Sequence, residues 1–259
     1  MIFYITPPSL LPKLDKRYKK WLESLKKRPP VWNKGKNKEN HPSVAKISET
    51  FKRKRINNFK RWRLQQIKER KFLDSPKKLR KTKDLAELIG VILGDGNIHK
   101  FPRTEGLVIV SNAKNIGFVN RYSDLIYKIF NKKPAIGKPI KGSIRIRIYQ
   151  KYLSLRLGIP CGARGKLTIE IPDWIKSNKE YLKRYLRGLY EAEGSFCVHK
   201  PTYTYKFSFS NRNDSLLNNV FKGLCILGFH PHRSKYQIQI SKKVEAYRAK
   251  ELLNFRNYK

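Results

Sequence analysis

The chain has 259 residues, of which 59 are Lys or Arg and 19 Asp or Glu, for a formal charge of +40 at pH 7 and a pI near 10.3. Such a cationic field lies outside ordinary globular chemistry and demands a polyanionic partner, because neutralising phosphates releases counterions. No apolar run approaches the ~20 residues of a membrane span and no signal peptide leads to a cleavage site, so we expect an intracellular protein, cytoplasmic, nucleoid-associated or organellar, with no membrane partner.

The charge is concentrated at the front. Residues 1–82 hold 26 Lys/Arg against 6 Asp/Glu, are poor in periodic apolar positions and cannot bury a core of their own. They read as a basic arm. Pro29-Pro30 and Ser75-Pro76 divide it into a leading helix over about 10–27, a middle segment, and a junction before Lys83. The middle segment carries Trp32-Asn33-Lys34-Gly35-Lys36, then a helix start at Ser43-Val44-Ala45-Lys46-Ile47-Ser48.

Beyond the junction comes Leu88-Ile89-Gly90-Val91-Ile92-Leu93-Gly94-Asp95-Gly96. Leu85, Leu88, Ile89 and Ile92 form one helical stripe; Asp84 is a fair N-cap, with Glu87 completing a capping box. A helix is expected over 114–130. Ser143-Ile-Arg-Ile-Arg-Ile-Tyr alternates strictly, with Ile144, Ile146 and Ile148 inward and Arg145 and Arg147 outward. A glycine-rich loop runs from Gly158 to Lys166.

The motif then repeats, ninety-eight residues on, as Leu186-Arg187-Gly188-Leu189-Tyr190-Glu191-Ala192-Glu193-Gly194, at the end of a helix expected from 178. A strand from Tyr203 should point Tyr203, Tyr205, Phe207 and Phe209 inward and Lys206 outward. A helix over 213–227 follows, then a strand with Ile238 and Ile240 inward and Gln237 and Gln239 outward. Arg suits guanine edges and Gln adenine edges, although a half-exposed sheet carries the same residues. Cys161, Cys197 and Cys225 form neither a zinc pattern nor a disulfide framework.

A repeat at fixed period is one unit built twice. Gly90 and Gly94, like Gly188 and Ala192, share a helix face. Interior Gly costs about 1 kcal/mol relative to Ala, and close approach of two helix backbones supplies the compensating gain. The crossing would leave Asp95 and Glu193 side by side, with Gly96 and Gly194 as turn residues. Two acids so placed raise one another's proton affinity unless a cation intervenes. Oxygen-only ligands favour a hard ion such as Mg2+.

These paired motifs resemble those of the LAGLIDADG homing endonucleases in their single-chain, two-repeat form, over residues 83–259. The resemblance implies an α+β fold of two pseudo-symmetric αββαββα repeats, 83–172 and 173–259, whose antiparallel sheets form a saddle on DNA. It implies a site-specific endonuclease cutting double-stranded DNA at a long, near-palindromic site with Mg2+ or Mn2+. Asp95 and Glu193 would bind the metal, with the Gly94 and Ala192 carbonyls as co-ligands. Lys166, and Lys259 in the second repeat, would stabilise charge; Asn112 and Asn211 would orient water, unless they only cap turns. Asn97, His99, Ser195 and Lys206 join Arg145, Arg147, Gln237 and Gln239 as expected DNA contacts.

The arm resembles the nuclease-associated modular DNA-binding motifs, which implies DNA contacts by Trp32, Asn33, Lys34, Lys36 and Lys46. A basic tail gripping phosphates is the plainer reading. We expect a monomer, freestanding and intron-encoded, with intron RNA as a further partner the family allows. The rivals are a catalytically silent DNA-binding regulator, an RNA maturase, and a structural nucleic-acid binder.

Overall fold

The computed structural model describes residues 15–69, 76–165 and 167–258. Contacts divide the chain into two units, Met1–Phe72 and Leu73–Lys259.

The smaller unit holds three helices, α1 (Lys16–Lys26), α2 (Pro42–Arg53) and α3 (Asn58–Lys68), none of which buries a residue. Asp15 caps α1 and Asn57 caps α3 by accepting from Arg17 N and Lys60 N. The third helix went unread in the sequence. Ahead of α2 the backbone is tied down by polar side chains: Asn37 Oδ1 accepts from Glu39 N and Asn40 N, and Asn40 Nδ2 donates to the Gly35 carbonyl. Pro42 opens α2, where its missing N–H costs nothing. Lys36 Nζ lies 5.5 Å from the centre of the Trp32 ring. Trp32, Asn33, Lys34, Lys36 and Lys46 are all exposed.

The larger unit is α+β. Its first repeat runs α4 (Lys83–Asp95), β1 (Gly96–Lys100), β2 (Glu105–Asn112), α5 (Ile116–Phe130), β3 (Ala135–Ile136), β4 (Ser143–Gln150) and α6 (Leu153–Leu157). A short α7 (Asp173–Lys176) leads into the second: α8 (Lys179–Glu193), β5 (Gly194–His199), β6 (Thr204–Ser210), α9 (Asp214–Ile226), β7 (His232–Arg233), β8 (Gln237–Ile240) and α10 (Lys243–Leu252). Each repeat forms its own antiparallel sheet, with orders β1-β2-β4-β3 and β5-β6-β8-β7. Inward side chains such as Ile98, Leu107, Ile109, Ile146 and Ile148, and Phe207, Phe209, Ile238 and Ile240, are buried, together with helix residues such as Phe118, Tyr122, Leu217 and Val220. Tyr203 is the exception to the predicted alternation. It ends a 3-10 turn in the left-handed region, φ 47°, and is 80% exposed.

The two motif helices make the close crossing that their glycines predict. A Cβ at Gly90 would lie 2.2 Å from the Tyr185 carbonyl oxygen, and one at Gly188 would lie 2.1 Å from that of Glu87. Each glycine thus lets the opposite backbone into its own groove. The capping prediction fails, however. Thr82 is the N-cap, accepting from Leu85 N, and Glu87 is fully buried. There it holds Arg121 through both carboxylate oxygens, at 2.5 and 2.8 Å, and pairs with Arg184 of α8 at 2.8 Å. Asp84 pairs with Arg184 and Lys128.

The repeats also exchange their closing segments. Asn213, the N-cap of α9, donates Nδ2 to the carbonyls of Arg164 and Leu167 at 3.0 and 2.9 Å, and Ser215 Oγ accepts from Ile169 N. In the other direction Tyr258 lies against Gly117, where a Cβ would come within 2.4 Å of its ring. Its hydroxyl donates to Glu191 and accepts from Asn115, the N-cap of α5.

Candidate active site

Asp95 ends α4 and Glu193 ends α8, so the crossing sets their carboxylates together. A Cβ at Gly94 would lie 2.4 Å from Ala192 Cβ and 3.2 Å from Glu193 Cγ. No turn follows either acid. Gly96 and Gly194 take extended geometry, φ −92° and −91°, and open strands β1 and β5 directly. Glycine is needed there for space: a Cβ would sit 2.6 Å from Ile92 Cα and 2.4 Å from the Tyr190 carbonyl oxygen. The motif's last glycine therefore turns a helix end into a strand start within one residue, and each acid stands at the head of its own sheet.

The electrostatics are unusual for so basic a chain. Several other acids pair with cations: Asp84 and Glu87 as above, Asp15 with Arg17, Glu180 with Lys183, Asp214 with Arg233. Among the described residues, neither Asp95 nor Glu193 has a cationic partner. Asp95 reaches solvent, yet burial of its carboxyl and the charge on Glu193 push its pKa up to about 7. Burial raises that of Glu193 as well.

A divalent ion fits this donor set, since it would supply the missing positive charge and favour both ionised forms. No third His, Cys, Asp or Glu joins the pair among the described residues. That suits an ion taking its other ligands from water, backbone carbonyls such as those of Gly94 and Ala192, and substrate phosphates.

The other expected site residues divide. Asn211 Nδ2 donates to Glu193 Oε1 at 3.3 Å, while its Oδ1 accepts from Asn213 N. Asn112 Oδ1 accepts from Lys114 N in the same turn bond and makes no hydrogen bond to Asp95 among the described residues. Lys166 and Lys259 lie outside the described residues. Asp95 shares a concavity with Asn97, His99, Val108, Val110, Arg145 and Arg147; Glu193 shares another with Ser210, Asn211 and Tyr236. Asn97 keeps its Oδ1 buried without a partner. Ser195 is hydrogen-bonded to Ser208 at 2.9 Å, and His99 and Lys206 are exposed. Gln237 and Gln239 are half-buried on their sheet face.

One site residue escaped the sequence. Arg164, in the glycine-rich loop, donates Nη2 to the carbonyls of Ile92 and Gly96, at 2.8 and 2.5 Å. It brackets Asp95 by gripping the backbone on both sides of it. Its partners lie 68 and 72 residues away, so only the Gly-rich setting of the loop hinted at a role.

No protein-family model matches this chain, and no curated protein matches it. Among solved structures it is similar to variants of the homing endonuclease I-DmoI, at 19% identity over 66% of this chain and 90% of that one, TM-score 0.47. It is similar also to the N-terminal LAGLIDADG domain of DUF199/WhiA, at 15% identity over 68% and 84%, TM-score 0.45. A third is the LAGLIDADG meganuclease I-AabMI bound to uncleaved DNA, at 14% identity over 66% and 83%, TM-score 0.43.

Proposed function

We propose that this chain is a site-specific DNA endonuclease of the homing type, using a divalent metal, Mg2+ or Mn2+, to hydrolyse one phosphodiester in each strand. The observation that carries this reading is the pair of acids left without cations, at adjoining helix ends, in a chain of charge +40. Asp95 and Glu193 would hold the ion, which when bound supplies a lowered pKa for water and charge for the leaving 3′ oxygen. Asn211 holds the Glu193 carboxylate by its amide, and Arg164 fixes the backbone that presents Asp95. The sheet faces beside each acid carry Arg145, Arg147, Lys206, Gln237 and Gln239 for the duplex. Both acids come from one chain, so a monomer is complete.

The test begins with selection of cleaved duplexes from a random library in Mg2+. On a selected duplex, Asp95→Asn and Glu193→Gln should each abolish double-strand cleavage while leaving DNA affinity, which comes mainly from phosphate contacts elsewhere, nearly unchanged. Full cutting by the double variant would sink the assignment. Tight binding with no cleavage in Mg2+ or Mn2+ would favour a DNA-binding regulator.

A further inference from the structure

The two sheet faces share one register but not one chemistry. Gly96, directly after the first acid, pairs with Ile109, and Gly194, directly after the second, pairs with Phe209. Aligning the sheets on these pairs places Val108 at the position of Ser208, and Val110 at that of Ser210. The neighbouring strand completes each row. Val108 faces Arg147 and Val110 faces Arg145 in the first sheet; Ser208 faces Gln239 and Ser210 faces Gln237 in the second. At both rows nearest the acids, a Val–Arg pair in one repeat is a Ser–Gln pair in the other.

Cross-strand partners lie on the same face with Cβ atoms about 5 Å apart, so each pair addresses one base step; Ser208, buried against Ser195, leaves Gln239 as the group its pair presents. Val110 is 38% exposed on the outward face of its strand, and it shares the Asp95 concavity with both arginines. A guanidinium forks onto guanine O6 and N7, and an adjoining apolar group suits the thymine methyl. Gln237 and Gln239 instead donate one amide N–H each to Ser210 and Ser241. That fixes the amide while leaving its oxygen to accept from adenine N6 and its second N–H to donate to adenine N7.

We infer that the two half-sites differ in base identity where they lie closest to the acids: guanine beside thymine under the first sheet, adenine at the matching positions under the second. The target is then asymmetric at its centre, unlike the near-palindrome that the repeated sequence suggests. This rests on the nuclease reading only for the placement of DNA over the sheets.

The experiment selects bound duplexes from a randomised pool, using the full chain without divalent metal, so that binding alone is read. The variant carrying both Val110→Ser and Arg145→Gln is selected in parallel. Wild type should enrich guanine and thymine in one half and adenine at the mirrored position. The variant should switch one first-half position from guanine to adenine, by at least about fivefold in relative affinity, and leave the second half unchanged. Replacing the selected thymine by deoxyuridine should weaken wild type and not the variant. Equal base preferences in the two halves, no enrichment at all, or a uniform loss across sequences in the variant would overturn the inference. Adding Mg2+ afterwards separates the two ideas. An asymmetric duplex that is bound but never cut keeps the base assignment and ends the nuclease reading; a cut duplex with matching halves does the reverse.

Discussion

Asp95 shows how a single residue's environment sets a testable pH dependence. Its folded pKa is raised from 3.8 to about 7, so the metal-free folded state binds a proton that the unfolded chain releases near pH 4. The stability linked to that proton is fully present below about pH 4 and is lost as pH rises through 7. Melting temperatures of metal-free wild type should therefore fall relative to Asp95→Asn between pH 4 and 7, and Mg2+ at pH 7.5 should recover the difference. Parallel pH curves for the two proteins would contradict the coupling. Both acids were legible in the sequence because they repeat at equivalent places. Arg164 was not, because its acceptors are main-chain carbonyls brought near only by folding. Asn112 and Asn211 sit in like contexts, each after a serine, and only packing decides that one meets a carboxylate.

At the scale of elements, the small-residue spacing was enough to predict the helix crossing, and the strict alternations were enough to predict β4 and β8. Glu87 marks where local rules stop. Its spacing from Asp84 matches a capping box, but the crossing buries it and three arginines surround it. Removing one partner of a buried pair leaves an uncompensated charge, which typically costs about 3–5 kcal/mol. Glu87→Gln should lose stability on that scale in denaturant unfolding, whereas Glu180→Gln, which breaks only a solvent-exposed pair with Lys183, should leave the unfolding midpoint nearly unchanged. Equal effects would show that the Glu87 cluster contributes nothing specific. The helix α3 was missed because its face carries no core, so periodicity had little to report.

For the whole molecule, charge asymmetry alone separated a basic front from a folded remainder, although it drew the line after residue 82. Residues 76–82 instead belong with the larger unit: Lys77 accepts from Arg156, and Thr82 caps α4. Deleting residues through Phe72 should leave a folded protein whose log affinity for DNA falls less steeply with log salt, by about 0.9 for each phosphate contact removed. Footprint protection should shrink on one flank. An unchanged slope would mean that the arm does not touch the duplex. The exchanged closing segments carry a consequence of another kind. Neither repeat can finish its own packing, since Tyr258 completes the first and Arg164, Leu167 and Ile169 complete the second. The halves are therefore buckled together like the two ends of a clasp, and loosening either one frees the asparagine that caps a helix of the other. Thermal unfolding of the larger unit should accordingly occur as a single event, with no stage at which one half stands alone.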